Sequence, residues 1–555
     1  MKFLMLVTTC CAVLDCALSA TVVEVDPAKP IKDLSSQPCG FGLGFNGDLA
    51  HEHHTRAQWF FERNPEQTAM CFRDSAVRLV RAGTAVVLWQ GDRANRIRFY
   101  ERWKHVDFGR SVLDMSKPWH WIDPRIVYDF YRNNGIKVLP CLSSRVYDPD
   151  SDAMSGDVGL VKKTTLAYLD WLKANGYADN VIGFELDNEP YLDIPDPQSY
   201  VAVWRELIPE IKRMWPDAKL GLPVAIYLKG DPDLVEVRRR LVGNDLLSGE
   251  RSEERINQWT GNVIAALGDV AKHITHLCIH VYGAGRSWNC NYNGIRRTDK
   301  LREVFPVLKG TRTWITEWRD QSDNDYFSQR RFRTLLWKAD YILMALAQPE
   351  VDAIFQHSLY GHSGAIYWST GREWYFQPER PGVRKFLADA NGDGNPRMVR
   401  GACGALYKLL FDAFEGRTLF LGVGAARGVD TGAVYYDSIV RHDRALRDDP
   451  PRDLPFDGDC LWAVATDAGR MEGTLVAVNT HGCQESVSVG IKGRRIGTAD
   501  CRVLKCRADV MDQLEIPGET PPWRVDICTW QNINADDCTF FVPPFSVFVA
   551  RFPLR

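Results

Sequence analysis

The sequence predicts an α/β protein, a (β/α)8 TIM barrel carrying an antiparallel β-sandwich domain. Three observations lead there. From about residue 40 to 410, apolar strand-like runs alternate with amphipathic helical ones about eight times, the rhythm of a parallel sheet built from strand–helix units. After about residue 416 the helical periodicity stops, and short β-rich runs separated by turn residues replace it. The length of 555 residues exceeds one small domain and suits a large barrel with a smaller module.

Residues 1–20, MKFLMLVTTCCAVLDCALSA, combine one lysine, a short apolar stretch and small residues at Ser19 and Ala20. These are the features of a cleaved signal peptide, so the protein is expected to be secreted, extracellular or periplasmic. Residues 21–39 open with the strand-like TVVEVDPAKP, expected to join the sandwich. The barrel is expected over 40–415. Its strands are read at GFGLGFNG (40–47), AVRLVRAG (76–83), GIKVLPCLSS (135–144), VIGFELDNEP (181–190), AKLGLPVAIYL (218–228), HITHLCIHVYG (273–283) and TRTWITEW (311–318), with the last at DAIFQHSLYG and GAIYWST (352–370). Helical stretches such as TTLAYLDWLKANG and YVAVWRELIPEIKRMW stand between them. A doubly wound open sheet has the same rhythm, but no GxGxxG or GKS/T loop follows the first strand, which argues against a nucleotide binder. The sandwich is expected over 416–555, from TLFLGVGA to FSVFVARF.

The chain is 45% hydrophobic and 25% charged, ordinary for a soluble globular protein. A net charge of −3 supplies no field for nucleic acid or an anionic membrane. No run after the signal is long and apolar enough for a membrane span. The 18 Trp, 19 Tyr and 25 Phe fill a large core or stack on sugar rings. Of 15 Cys, Cys10, Cys11 and Cys16 lie in the signal; an even number remains, which predicts disulfides in an exported chain. Cys460, Cys483, Cys501, Cys506, Cys528 and Cys538 cluster late, with their pairing open. No CxxC pair marks a zinc site.

Barrel enzymes place their chemistry at the carboxyl ends of the strands. Those ends collect Arg81, Glu189 with Asp187 and Asn188, His280, Tyr282, Glu317 with Trp318, and Trp368. Two carboxylates on different strands of one mouth suit glycoside hydrolysis, one as a protonated acid and one as an ionised nucleophile. Identical side chains hold opposite states only where their surroundings separate their pKa values. Arg81 and Tyr282 are candidates for lowering the nucleophile. Arg78 competes with Arg81 for the functional place, and the Gly-Thr that follows favours Arg81. Glu185 and Asp187 read as structural, Glu185 pointing into the barrel toward an arginine such as Arg78. His280 reads equally as a core histidine, and Trp368 as a sugar platform or a rim core residue.

Asn46 lies in GFNGDLAHEHH after the first strand, a stretch read as a substrate-contacting loop. Its histidines lack HExxH spacing, so no metal is expected. DANGDGN (389–395) matches the first half of a calcium loop, but its twelfth position is Arg400 rather than an acid. The aromatic stretches 117–123 and 372–378 read as subsite lining or rim packing.

NEP after a fourth strand, TEW ending a seventh and HVY between them resemble the 4/7-barrel, or clan A, glycoside hydrolases. The resemblance implies that Glu189 is the acid/base, Glu317 the nucleophile and Asn188 the partner of the sugar 2-hydroxyl. It likewise matches Arg81 to an arginine closing the second strand, and His280 and Tyr282 to the sixth-strand end. Glu52 falls where related branches carry a glutamate. The layout, barrel plus sandwich with a final strand like FSVFVARF, is similar to the arabinofuranosidase, xylosidase and glucuronidase branches. The expectation is a secreted retaining glycoside hydrolase acting on oligo- or polysaccharides by double displacement, without a cofactor. Its rivals are a transglycosylase on the same site and a non-catalytic carbohydrate-binding protein on a barrel scaffold.

Overall fold

The computed structural model describes residues 21–46 (without 36 and 39–41), 65–103, 122–225 (without 195), 253–282, 298–319 (without 300), 332–357, 367–369, 398–425, 460–480, 484–507, 509, 521, 523–530 and 538–555. Eight parallel strands close into a barrel: β1 (Leu43–Asn46), β2 (Leu79–Ala82), β3 (Lys137–Leu142), β4 (Phe184–Leu186), β5 (Leu220–Pro223), β6 (His276–Tyr282), β7 (Arg312–Arg319) and β8 (Val351–His357). They follow chain order, and β8 pairs with β1 to complete the ring. Three of the helices between them begin on acids. Asp123, Asp157 and Asp196 each accept backbone N–H groups of the first turn, and Pro124 and Pro197 occupy the first helical position.

Side chains alternate across each barrel strand. Val80, Val138, Phe184, Leu220, Leu277, Ile315 and Ile354 face the helical layer. Leu79, Leu139, Cys278, Trp314, Ala353 and Phe355 meet inside. Trp314 takes so much of that interior that two neighbours must be glycine. A Cβ on Gly183 would lie 2.6 Å from the Trp314 ring, and one on Gly221 would lie 2.8 Å from it.

The eighth strand is Val351–His357 alone. Tyr367–Ser369, the centre of GAIYWST, instead pairs antiparallel with Met398–Arg400 in a two-stranded ribbon outside the barrel. The pattern named two segments for one position; β8 wins because the helix Phe332–Ala347 feeds directly into it.

The C-terminal region is two facing sheets. Seven antiparallel strands run in the order Lys32–Asp33, Leu419–Ala425, Cys460–Thr466, Glu472–Asn479, Ser546–Pro553, Ala499–Cys506, Trp523–Trp530. The second sheet joins Thr21–Val25, Glu485–Ile491 and Cys538–Val542, its first pair parallel. Val23, Val487, Val489 and Phe540 pack against Val464, Leu475, Val503 and Phe548 between the sheets. The other face of the large sheet, with Val476, Val478, Leu504 and Val547, merges with the barrel's core through the helix Ala402–Phe414. The disulfide expectation meets three buried free thiols, Cys141, Cys278 and Cys538, while Cys483 lies outside the described residues. Among the described residues no helix is long and apolar enough to cross a membrane.

Candidate active site

On β2, Leu79 points inward, so Arg81 does too, one layer nearer the mouth. Its guanidinium reaches three side chains of the mouth, besides Cys141 Sγ at 3.8 Å from Nη2. Nε donates to Glu185 Oε2, Nη1 to Glu317 Oε1 at 3.0 Å, and Nη2 to Asn188 Oδ1 at 2.7 Å. Arg81 and Glu185 are both about 1% exposed. Burial alone would weaken the Arg81 charge, but Glu185 and Glu317 more than offset that and hold it firmly protonated. The expected link between Glu185 and Arg78 is not made. Arg78 lies on the outside and pairs with Glu415 at 3.6 Å. Alternation along β2 separates the two: Arg81 is an odd step from Val80 and an even step from Leu79, which faces inward.

β7 carries Glu317 by a different device. Trp314 faces inward, so on a regular strand residue 317 would face the helices. The register with β6 shifts instead: Ile279 pairs with Ile315, but His280 pairs with Glu317, which leaves Thr316 as an extra residue. This β-bulge turns Glu317 back to the interior and Trp318 outward. Trp318 is fully buried and packs on Tyr341 of the helix Phe332–Ala347, ring centroids 4.8 Å apart. Trp318 therefore contacts the helical layer and not a substrate at the mouth, which corrects the reading of TEW as two site residues.

β4 ends in a strained turn. Asp187 has φ 86° and Glu189 φ 50°, both in the left-handed region that non-glycine residues avoid. Asp187 holds this turn. Its Oδ2 accepts from the Ser144 backbone N–H at 2.8 Å and from the Ser144 hydroxyl, and its Oδ1 accepts from Asn188 N–H at 2.8 Å. Tyr200 Oη donates to Leu186 O at 2.6 Å from the helix behind. Pro190 then opens a four-residue helix, and the residue before a proline is barred from the ordinary helical region. Together these constraints carry Glu189 across the mouth.

His280, inward on β6, stands between the two acids. Its Nδ1 lies 2.9 Å from Glu189 Oε1 and 3.3 Å from Glu317 Oε2, and its Nε2 lies 4.0 Å from Glu185 Oε1. Burial would push the imidazole down, but Glu317 and Glu189 more than compensate, and its pKa is raised. One oxygen or nitrogen from each of Glu189, His280 and Glu317 lies within 4.8 Å of the other two.

No protein-family model matches the sequence, and no curated protein matches it. Solved structures do match, over nearly the whole chain. The α-L-arabinofuranosidase of Thermotoga maritima, solved as an arabinose complex, superposes with a TM-score of 0.60 at 12% identity, covering 96% of this chain and 99% of that one. The chain has the fold of the family 51 α-L-arabinofuranosidases. The family 51 enzyme of Thermotoga petrophila RKU-1 gives 0.59 at 12% identity over 95% and 99% of the two chains. A monomeric β-xylosidase of Caulobacter crescentus CB15 gives 0.52 at 11% identity over 96% and 99%. The likeness is one of fold.

The structure thus brings Arg81, Asn188, Glu189, His280 and Glu317 together. Asn46 ends β1 beside Arg81 in the register, and Tyr282 ends β6 opposite Arg319. Trp368 sits in the two-stranded ribbon opposite Val399, not at the end of a barrel strand, which corrects its placement. Glu52 and the stretch 389–395 lie outside the described residues. Two contributors were not read as parts of this site, Ser144 as the tether of Asp187 and Thr316 as the bulge, while Glu185 was read as facing an arginine such as Arg78 and meets Arg81 instead. Neither contributor had a signal in sequence, since which side chains of a strand face inward is set by register.

Proposed function

We propose that this chain is a retaining glycoside hydrolase, with Glu317 as nucleophile and Glu189 as acid/base. The observation that carries the reading is the closeness of the two carboxylates: Glu189 Oε1 and Glu317 Oε2 lie 2.9 and 3.3 Å from one nitrogen, His280 Nδ1, and the two residues offer oxygens within 4.8 Å of each other. Retaining pairs stand about 5–5.5 Å apart, and inverting pairs leave about 6.5–9.5 Å for a water. Arg81, bound to Glu317 Oε1, stabilises the ionised form that attack on the anomeric carbon requires. Glu189 donates its proton to the departing oxygen and then deprotonates the water that releases the sugar. Asn188 is oriented for a sugar hydroxyl. Arg81 Nη2 can only donate, so the Asn188 oxygen must face it and the amide nitrogen is left to donate elsewhere.

The similar folds belong to enzymes described as α-L-arabinofuranosidases and a β-xylosidase, so pentosides are the first substrates to try. Aryl α-L-arabinofuranosides and β-D-xylosides test the reading directly. Glu317→Ala should lower kcat on the order of 10⁴-fold or more. Azide should restore turnover and give a product of inverted configuration. A Glu317→Ala variant that keeps the wild-type rate overturns the assignment. Residues 1–20 are proposed as an export signal, checked by the N-terminal sequence of the secreted protein.

A further inference from the structure

We infer that Glu189, His280 and Glu317 also form a binding site for one divalent transition metal of the zinc class, filled in competition with the sugar. The binding part stands on geometry. Zinc holds histidine nitrogen and carboxylate oxygen at about 2.0–2.2 Å, so the donors of a four-coordinate site stand about 3.3–3.5 Å apart. His280 Nδ1 is already 2.9 Å from Glu189 Oε1 and 3.3 Å from Glu317 Oε2, and all three residues offer donors within 4.8 Å of one another. A rotation of one carboxylate closes the remaining edge.

The surroundings suit a cation. Arg81 binds Glu317 through Oε1, on the opposite oxygen from His280, so a metal on Oε2 need not displace the guanidinium. Three carboxylates, Glu185, Glu189 and Glu317, converge on His280. The second observation lies behind the imidazole. Glu185 is 1% exposed, its Oε1 has no hydrogen-bond partner, and that oxygen stands 4.0 Å from His280 Nε2. A carboxylate on the far side of a metal-bound histidine orients the ring and strengthens it as a ligand. One nitrogen and two oxygen donors select zinc-class metals over calcium or magnesium, which take all-oxygen sets. Three protein ligands leave the fourth position toward the mouth. Competition with sugar rests on the proposed function, since the same three groups would act on the substrate; metal binding does not.

The experiment titrates zinc into the chelator-treated full-length protein by calorimetry, and cobalt by visible absorption. One metal per chain should bind at a site lost in His280→Gln and in Glu317→Gln. In Glu185→Gln it should be weakened about 10–100-fold. Zinc should raise the apparent KM for an aryl pentoside without changing kcat. Unchanged stoichiometry and affinity in a folded His280→Gln variant overturns the inference. Should that variant fail to fold, wild-type protein that gives no intense four-coordinate cobalt bands overturns it instead. A His280-dependent zinc site in a protein that cleaves no glycoside leaves the metal site standing and sinks the glycosidase reading. Cleavage without such a site does the reverse.

Discussion

The two ends of the barrel hold buried charged clusters of the same residue types, arranged to opposite effect. His276 and His280 lie four residues apart on β6, both facing inward. At the floor, His276 stacks on Trp314 at 3.8 Å and its Nε2 donates to Asp352 Oδ2 at 2.9 Å. Asp352 is shared with Arg312 Nε at 2.5 Å. Lys32 arrives from the N-terminal segment to donate to Leu346 O at 2.6 Å and to Val351 O, and burial lowers its pKa to about 7. Burial also wins at His276, whose pKa falls to about 4 despite Asp352, so the ring is neutral. At the mouth, His280 faces two acids and its pKa is raised. The floor carries a register shift of its own, since Thr313 pairs with Val351 and Trp314 with Ala353, which leaves Asp352 as an extra residue. The mouth needs a bulge and two left-handed residues. Acids paired off against cations and an imidazole are structural, whereas acids gathered around one imidazole on a strained frame are suited to chemistry.

Breaking the mouth should have the largest effect. Deleting Thr316 restores simple alternation and turns residue 317 toward the helices, so kcat on an aryl glycoside should fall on the order of 10⁴-fold, as proposed for Glu317→Ala. Near-normal turnover in a folded deletion variant would show that the bulge does not aim Glu317. Breaking the floor should cost stability instead. Asp352→Ala leaves the buried His276 ring N–H and the part-exposed Arg312 without this acceptor, and urea unfolding should report a loss of about 1–3 kcal/mol while kcat per folded molecule holds. A fall in kcat without a fall in stability would erase the distinction between the two ends.

Acid and base should separate the two histidines. Unfolded, each titrates near 6.5. Folded, His276 refuses its proton until about pH 4, so between those values the unfolded chain alone takes it up and about 3 kcal/mol is lost as pH falls. His280 runs the other way. Its folded form keeps the proton above 6.5, so its contribution is complete below that pH and disappears as pH rises through the raised value. Denaturation midpoints across pH for His276→Gln and His280→Gln should lose opposite limbs of the wild-type profile; parallel profiles would refute the contrast. The smallest effect is expected at Arg78→Ala. That side chain and Glu415 are each more than half exposed, so stability should change by less than about 0.5 kcal/mol and activity not at all.

Much of this was legible in the chain. The repeat of strand and helix and the apolar strand centres depend on local periodicity and backbone chemistry, which each segment carries by itself. So does the position of acids at strand ends, which is why Glu189, Glu317, Arg81, Asn188 and His280 could be named together. Trp318 and Trp368 are placed differently by the structure because of pairings between segments. Which way a side chain faces depends on strand register, and register is fixed by pairing with neighbours far away in sequence. Trp318 was placed beside Glu317 at the mouth, but the bulge that turns Glu317 inward sends its neighbour outward. Trp368 was assigned to a barrel strand, but a closed ring has one eighth place and Val351–His357 fills it. The sequence determined the inventory of groups and the strands that bear them. Only the tertiary structure decided which groups meet, because burial, bulges and opposing charges exist only between segments, never within one.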